Sequence, residues 1–328
     1  MILFKRFLKN PLSVVGFVLI IFFFLVAIAA PWLAPPERAC PSVVYYLVPD
    51  WLLRPFMTDL PCEPFKMPRD GFKATPLPPN PEAWKTFFPP DWHLHPLGTT
   101  ENRYDIWYGL VWGTRNALVA GILIVGCTLL VGLIYGSVSG FYGRLVDAVM
   151  MRIVDFVFAL PTFLMTLVLV SIWGRGLDKI IFISIIFGWA GYARFTRGNI
   201  LAVRELEYVA AAKALGANDR RIIFRHVLPN TIYPILILAS LDVGSIVLGL
   251  SGFSFLGLGS GEDYSDWGQM IAFARNRIVG AAGGDLLQYW YTWIYPGITI
   301  TLFVLAWNLL GDAVRDILDP RLRGSRRA

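Results

Sequence analysis

Six stretches of this chain are long and apolar enough to cross a membrane, and no water-soluble fold accommodates that many. A helix spanning a hydrocarbon core of about 30 Å needs roughly 20 mostly apolar residues. Residues 12–30 and 117–138 carry no charge, and 153–173 is interrupted only by Asp155 and Pro161. The run at 180–193 is short but extends through Phe195 to Ile200; 232–256 holds one acid, Asp242, and 292–311 is uncharged. Only 16% of the residues are charged, against about 25% in soluble domains. The expected fold is therefore an all-α membrane protein with six transmembrane helices. Lys5, Arg6 and Lys9 ahead of the first stretch resemble the start of a signal peptide, but no small-residue cleavage site precedes Pro31 and Trp32. The first stretch reads as a retained helix.

Basic residues set the expected orientation. With the N-terminus inside, segments 1–11, 141–152, 194–228 and 315–328 hold 17 of the 29 Lys and Arg residues. Eight of the remainder lie in the long segment between the first two helices, leaving Arg175, Lys179, Arg275 and Arg277 in short outer loops. The positive-inside rule then places both termini in the cytoplasm of a multi-pass protein of the cytoplasmic (inner) membrane. The same scatter over four membrane-edge loops argues against a nucleic-acid partner, which needs one basic stripe.

The outer segment, 32–114, is expected to be irregular. Between residues 31 and 96 fall 16 of the 22 prolines, and proline lacks the backbone donor that helices and central strands require. Trp32, Tyr45, Tyr46, Trp51, Phe56, Phe65, Phe72, Trp84, Phe87, Phe88 and Trp92 nevertheless supply more aromatic surface than a disordered linker carries. We read the segment as a cap over the outer mouth of the helices. Cys40 and Cys62 lie inside it, either as two thiols or as a disulfide worth about 3 kcal/mol. His93 and His95 have the spacing of a metal pair but no third ligand nearby. No metal is expected there, and His95 reads as part of a turn with Pro96 and Gly98.

The inner loop at 204–230 reads RELEYVAAAKALGANDRRIIFRHVLPN. Residues 205–215 are good helix formers with little side-chain bulk. Gly216 suits a left-handed cap, and Asn218 suits the start of a second helix running to Leu228 before Pro229. A slim helix of this kind at a membrane edge can enter a groove on another protein. The spacing of Ala211, Ala212 and Gly216, followed by Leu228 and Pro229, resembles the EAA loop of ABC importer membrane subunits. The match is to the C-type subunit of the dipeptide/oligopeptide permease branch. Three further passages share the resemblance: HPLGT at 95–99, FSFLGLG at 253–259 with Trp267 and Gly268, and NLLGDAVRDILDPRLR at 308–323.

Departures from that pattern are visible. Ala210 and His226 stand where the general loop motif has glutamate and isoleucine, and Glu207 is a candidate for the displaced acid. After HPLGT the branch continues with an acid and Gly-Arg-Asp, whereas this chain has Thr100, Glu101, Asn102, Arg103, Tyr104 and Asp105. Leu250 replaces a glutamate, and the outer segment is longer than the branch norm.

The resemblance implies a type I importer transmembrane domain: an N-terminal tail and first helix at 1–31, the cap, a five-helix permease core at 115–314, and a basic tail at 315–328. It also implies partners, namely a second homologous permease, two ATP-binding subunits and an extracytoplasmic solute-binding protein. No phosphate loop of the Gly-x-x-x-x-Gly-Lys-Ser/Thr type occurs in the sequence. ATP and its Mg would thus be bound by the partners, and this chain would have no catalytic residue or cofactor. Glu207, Ala211, Ala212, Gly216 and Pro229 would couple ATP hydrolysis to alternating access, through the helix at 205–216. Within the membrane Asp242 is the candidate for the translocation pathway, because a mid-helix carboxylate costs at least about 2.5 kcal/mol on insertion scales and must face a cavity or partner. A peptide amino group, a polar group of the partner permease, or a purely local hydrogen bond would each satisfy it. Peptide is the implied cargo; nickel and oligosaccharide are carried by related systems. A stand-alone secondary transporter would show more paired intramembrane charges.

Overall fold

A computed structural model of the chain describes residues 10–53, 60, 62–72, 75–85, 89–279 and 287–318. Lys5, Arg6, Lys9, Phe56, Phe87, Phe88 and the basic tail beyond residue 318 lie outside the described residues. Within them the chain is helical, with three isolated β-bridges and no sheet. The first apolar stretch is α1 (Pro11–Leu33), whose N-terminus is capped by the Asn10 side chain accepting from Leu12 N. The second lies inside α2 (Ile106–Tyr142), which begins well ahead of residue 117. The Asp105 carboxylate accepts from Tyr108 N at 2.7 Å and fixes that start.

The third stretch is not one helix. It is divided between α3 (Arg144–Ala159) and α4 (Thr162–Trp173), bent by 74°. Pro161 is the cause: the residue before proline is pushed out of the helical region, and Leu160 is extended at φ −83°, ψ 124°. Next come α5 (Leu177–Arg204), α6 (Glu207–Ala214), α7 (Asp219–Ile222) and α8 (Leu228–Phe255), followed by α9 (Trp267–Phe273) and α10 (Tyr291–Leu318). Five helical runs are long and apolar enough to cross a membrane: α1, α2, α5, α7 with α8, and α10. The bent pair α3 and α4 supplies a sixth. Pro234 stays inside α8 without ending it.

The centre of the bundle is the contact of α2 with α5, and glycine permits it. A Cβ at Gly132 would lie 2.3 Å from Tyr192 Cβ, at Gly136 2.4 Å from the Ala193 carbonyl oxygen, and at Gly140 2.9 Å from Ile200 Cβ. Four-residue spacing puts these glycines on one face, the small-residue arrangement that lets membrane helices approach closely. The contact is pinned at one end by polar bonds. Arg197 on α5 reaches Asp147 on α3 through Nε at 2.5 Å and Nη2 at 2.6 Å, and Ser139 on α2 donates to the same carboxylate. Toward the other end Phe303 of α10 packs edge to face on Phe23 of α1 and Trp267 of α9, and those two rings tilt against each other, with centroids 5.1 to 6.3 Å apart.

The proline-rich segment is irregular yet docked. Trp107 and Trp112 on α2 donate to the carbonyls of Leu33 and Ala34, and Tyr108 donates to that of Pro64. Trp51 donates to Asn116 at 2.8 Å, and Ser265 N donates to the Phe65 carbonyl at 2.8 Å. Such bonds each contribute about 1 kcal/mol. Phe65, fully buried, packs between Trp112 and Tyr264. A disulfide joins Cys40 and Cys62, with Cα atoms 5.5 Å apart.

The HPLGT passage ties this segment to α2. Leu77 N donates to Thr99 Oγ1, Thr99 N donates back to the Leu77 carbonyl, and Ile106 N donates to that of Gly98. Gly98 has φ +81°, and a Cβ there would lie 2.6 Å from the Leu77 oxygen. His95, itself left-handed at φ 54°, places Nδ1 2.8 Å from the fully buried Asp105 carboxylate and Nε2 3.7 Å from Asp70. His93 instead stacks on Trp92, so the pair does not converge. The Asp105 hydrogen bond holds the His95 imidazole above the ordinary histidine range, against the opposing effects of burial and the nearby Arg103. A folded pKa above the unfolded value of about 6.5 gives stability that is complete below that pH and fades as pH climbs through the folded value. The thermal midpoint of the purified protein should therefore exceed that of His95→Gln most at pH 6, with the gap shrinking toward pH 9. A gap independent of pH would show that the charge contributes nothing.

Candidate functional site

The loop at 204–230 folds as a helical hairpin. α6 begins at Glu207, two residues later than the sequence suggests, because Leu206 is extended at ψ 145° and acts as its N-cap. Its end is a Schellman turn: Gly216 N donates to the Lys213 carbonyl and Ala217 N to that of Ala212. Gly216 has φ +80°, and a Cβ there would meet nothing within 4 Å. Asn218 caps α7 by accepting from Arg221 N.

The second helix does not stop before Pro229. It passes through a wide turn at Ile223–Val227, in which Leu228 N donates to the Ile223 carbonyl, and continues as α8. Proline cannot supply the donor that an unbroken α-helical ladder needs at 229. The widened turn sits immediately before that gap, as π-bulges inside helices do. Pro229 thus occupies the first turn of α8.

Four apolar residues root the hairpin: Ile200, Val209, Ile222 and Val227 form a small buried cluster. Arg204 Nη1 donates to the Gly140 carbonyl at 2.7 Å, tying the root to the end of α2. The rest is left uncovered among the described residues. Ala210, Ala211, Lys213 and Ala214 are exposed, Leu215 is 88% exposed and Phe224 67%. Glu207 forms no ion pair among the described residues.

Asp242 lies on α8 thirteen residues beyond Pro229, about 20 Å along the same helix. Tyr192 on α5 donates its hydroxyl to Asp242 Oδ2 at 2.6 Å. Both line a cavity of about 650 Å³ between α3, α5 and α8. Its floor is cut back by Gly191 and Gly198, where a Cβ would meet nothing within 4 Å. Phe158, Phe195 and Leu238 make most of the wall apolar, and Arg194 and Asn199 add polar groups. Asp155 pairs with Arg194 at 2.6 Å across α3 and α5, and the Arg194 guanidinium also lies over the Phe158 ring.

The structure thus brings Glu207, Ala211, Ala212 and Gly216 together on one hairpin, joins it through Pro229 to the helix of Asp242, and leaves Cys40 and Cys62 in the proline-rich segment. Tyr192 and the Asp147–Arg197 pair are absent from the sequence-level candidates. Their partners lie fifty residues away, where no local spacing points to them. The stripe of Gly132, Gly136 and Gly140 is absent from them too, although its four-residue period is a signal that could have found it.

The sequence is similar to known transport proteins over most of its length. Residues 128–324 match the family described as binding-protein-dependent transport system inner membrane component. Residues 2–46 match the N-terminal transmembrane domain of oligopeptide transport permease C. The chain is 32% identical over 319 residues to the dipeptide transport system permease protein of Bacillus subtilis (strain 168), covering 97% of this chain and 85% of the relative. It is 31% identical to the probable D,D-dipeptide transport system permease protein of Escherichia coli (strain K12), covering 97% and 90%. To the glutathione transport system permease protein of Pectobacterium atrosepticum it is 37% identical, covering 70% and 73%.

Proposed function

This chain belongs to the binding-protein-dependent transport system inner membrane component family, and from that premise we propose how it works as the permease subunit of a peptide-type ABC importer. It sits in the cytoplasmic membrane with both termini inside and the proline-rich segment outside. A second permease completes the pathway, two ATPase subunits bind ATP and Mg, and a solute-binding protein delivers peptide from outside. The hairpin of α6 and α7 seats in a groove of one ATPase. Closure of the ATPases on ATP displaces the hairpin, and the continuous run into α8 carries that displacement to the cavity at Asp242 as near-rigid rotation.

One observation carries this reading above the others. α6 is rooted by Val209 yet presents three exposed alanines and a bare Leu215 that nothing among the described residues covers, which is the shape of an insert. The cavity fits peptide cargo in kind: a carboxylate for an ammonium group, and glycine-cleared, aromatic-walled space for side chains.

The test is uptake into proteoliposomes holding the whole importer, with its binding protein supplied outside. ATP-dependent uptake of a labelled dipeptide is expected, and uptake of nickel or an oligosaccharide in its place would overturn the cargo assignment. Asp242→Asn should lower uptake of a free-amine dipeptide by about tenfold, the equivalent of 1.4 kcal/mol, and leave an N-acetylated one unchanged. If both peptides enter variant and wild type alike, Asp242 has no part in the pathway.

A further inference from the structure

Arg115 holds a charge that no carboxylate among the described residues neutralises. It lies on α2 just outside the uncharged stretch and is only 5% exposed. Its Nη1 donates to the Tyr46 carbonyl, and its Cζ lies 5.6 Å from the centroid of the Trp112 ring. Among the described residues Nε and Nη2 donate to nothing and no carboxylate pairs with it. A guanidinium withdrawn from water without an anion is unfavourable, and among the described residues none supplies one, so the site has room for an anion from outside them.

The surface beneath it indicates which anion. Positions 119, 122, 126 and 130 follow Arg115 at helical spacing and form one stripe of α2. Ile122 is 44% exposed, Leu130 is 59% exposed, and a Cβ at Gly126 would meet nothing within 4 Å. From Arg115 to Gly126 is about 16 Å at 1.5 Å per residue, close to half of the roughly 30 Å hydrocarbon core. A peptide carboxylate would need polar groups along the stripe for the peptide's own backbone, and there are none. A cation at one end of an apolar strip of leaflet length suits a phospholipid.

We propose that Arg115 binds the phosphate of an outer-leaflet phospholipid, whose acyl chain runs over Ile122 into the gap left by Gly126. The Nε and Nη2 edge faces the phosphate as a charge-assisted, two-bond fork, while Nη1 keeps the Tyr46 carbonyl. The site rests on the orientation given above but not on the identity of the cargo.

The experiment uses the full importer complex, incubated with phosphatidylglycerol and phosphatidylethanolamine vesicles, delipidated in detergent, and weighed intact by native mass spectrometry. Arg115→Gln should retain about tenfold less of one tightly held phospholipid per complex, a difference the fork can supply. Gly126→Phe fills open space and leaves the guanidinium alone, and it should lose the same lipid while melting normally. Equal lipid retention in Arg115→Gln, with only a lower melting temperature, would make Arg115 a strut for the segment around Tyr46 and overturn the proposal. So would inorganic phosphate protecting the wild type as well as vesicle lipid does, because the acyl stripe would then be irrelevant. The readout is bound lipid and not uptake, so failure here leaves the transport reading standing.

Discussion

Gly136→Val is expected to stop this subunit from accumulating as a folded membrane protein. A Cβ at 136 would stand 2.4 Å from the Ala193 carbonyl oxygen, 2.7 Å from Thr196 Cβ and 3.0 Å from Arg197 N. Two of these are backbone atoms of α5, so no side-chain rotation relieves the clash and the helices must separate. Overpacking of a core costs about 1–3 kcal/mol where side chains can yield, and more where they cannot. Separation would also pull Arg197 from Asp147 and Arg204 from the Gly140 carbonyl, both beside the same contact. Hydrogen bonds to charged groups contribute about 1.5–3 kcal/mol each, so the combined loss approaches the whole margin of about 5–15 kcal/mol that holds a domain folded. Gly126→Val is the control: it lies on the same helix, and its new side chain meets open space. Membrane yield and thermal melting in detergent should therefore fall sharply for the first variant and hold for the second. Equal behaviour of the two would mean that α2 and α5 do not depend on close approach.

How much of this was readable beforehand divides along physical lines. The apolar stretches were legible because lipid demands an uninterrupted run of about 20 residues, a demand no tertiary contact can waive. Gly216 and Asn218 were legible because their turns are local, closed by bonds within three to five residues. Helix ends set by distant contacts were not. α2 starts at Ile106 because Asp105 caps it and His95 holds Asp105, and this lies outside any apolar run. The same proline chemistry also gave two outcomes: Pro161 breaks its span, while Pro229 follows a widened turn and Pro234 is absorbed. Which occurs depends on whether the flanking backbone can re-pair, and that is decided by neighbouring helices. Tyr192 is the clearest case of an illegible residue. Nothing near it in sequence is acidic in the membrane, and only the packing of α5 on α8 makes it the partner of Asp242.

Gly216→Asp should leave the importer assembled and hydrolysing ATP while uptake falls by at least about tenfold. The left-handed conformation at φ +80° costs a residue with a Cβ about 1–2 kcal/mol, which corresponds to roughly that factor in a coupling equilibrium. The hairpin would not unfold, because its root in Val209, Ile222 and Val227 lies away from the turn, and no atom stands where the new side chain must go. What changes is the Schellman pair, the bonds from Gly216 N and Ala217 N that set the angle between α6 and α7. On the proposed coupling, a helix misdirected at its exposed end would still dock on the ATPase but would no longer transmit its closure. Conformation and charge are separable as causes. Asparagine and aspartate tolerate the left-handed region better than alanine does, so a conformational origin ranks uptake as glycine, then asparagine and aspartate, then alanine. If alanine and asparagine both transport like glycine and only aspartate fails, the fault is its charge against the ATPase groove. Wild-type uptake by Gly216→Asp, at an unchanged rate of ATP hydrolysis, would remove this turn from the coupling path altogether.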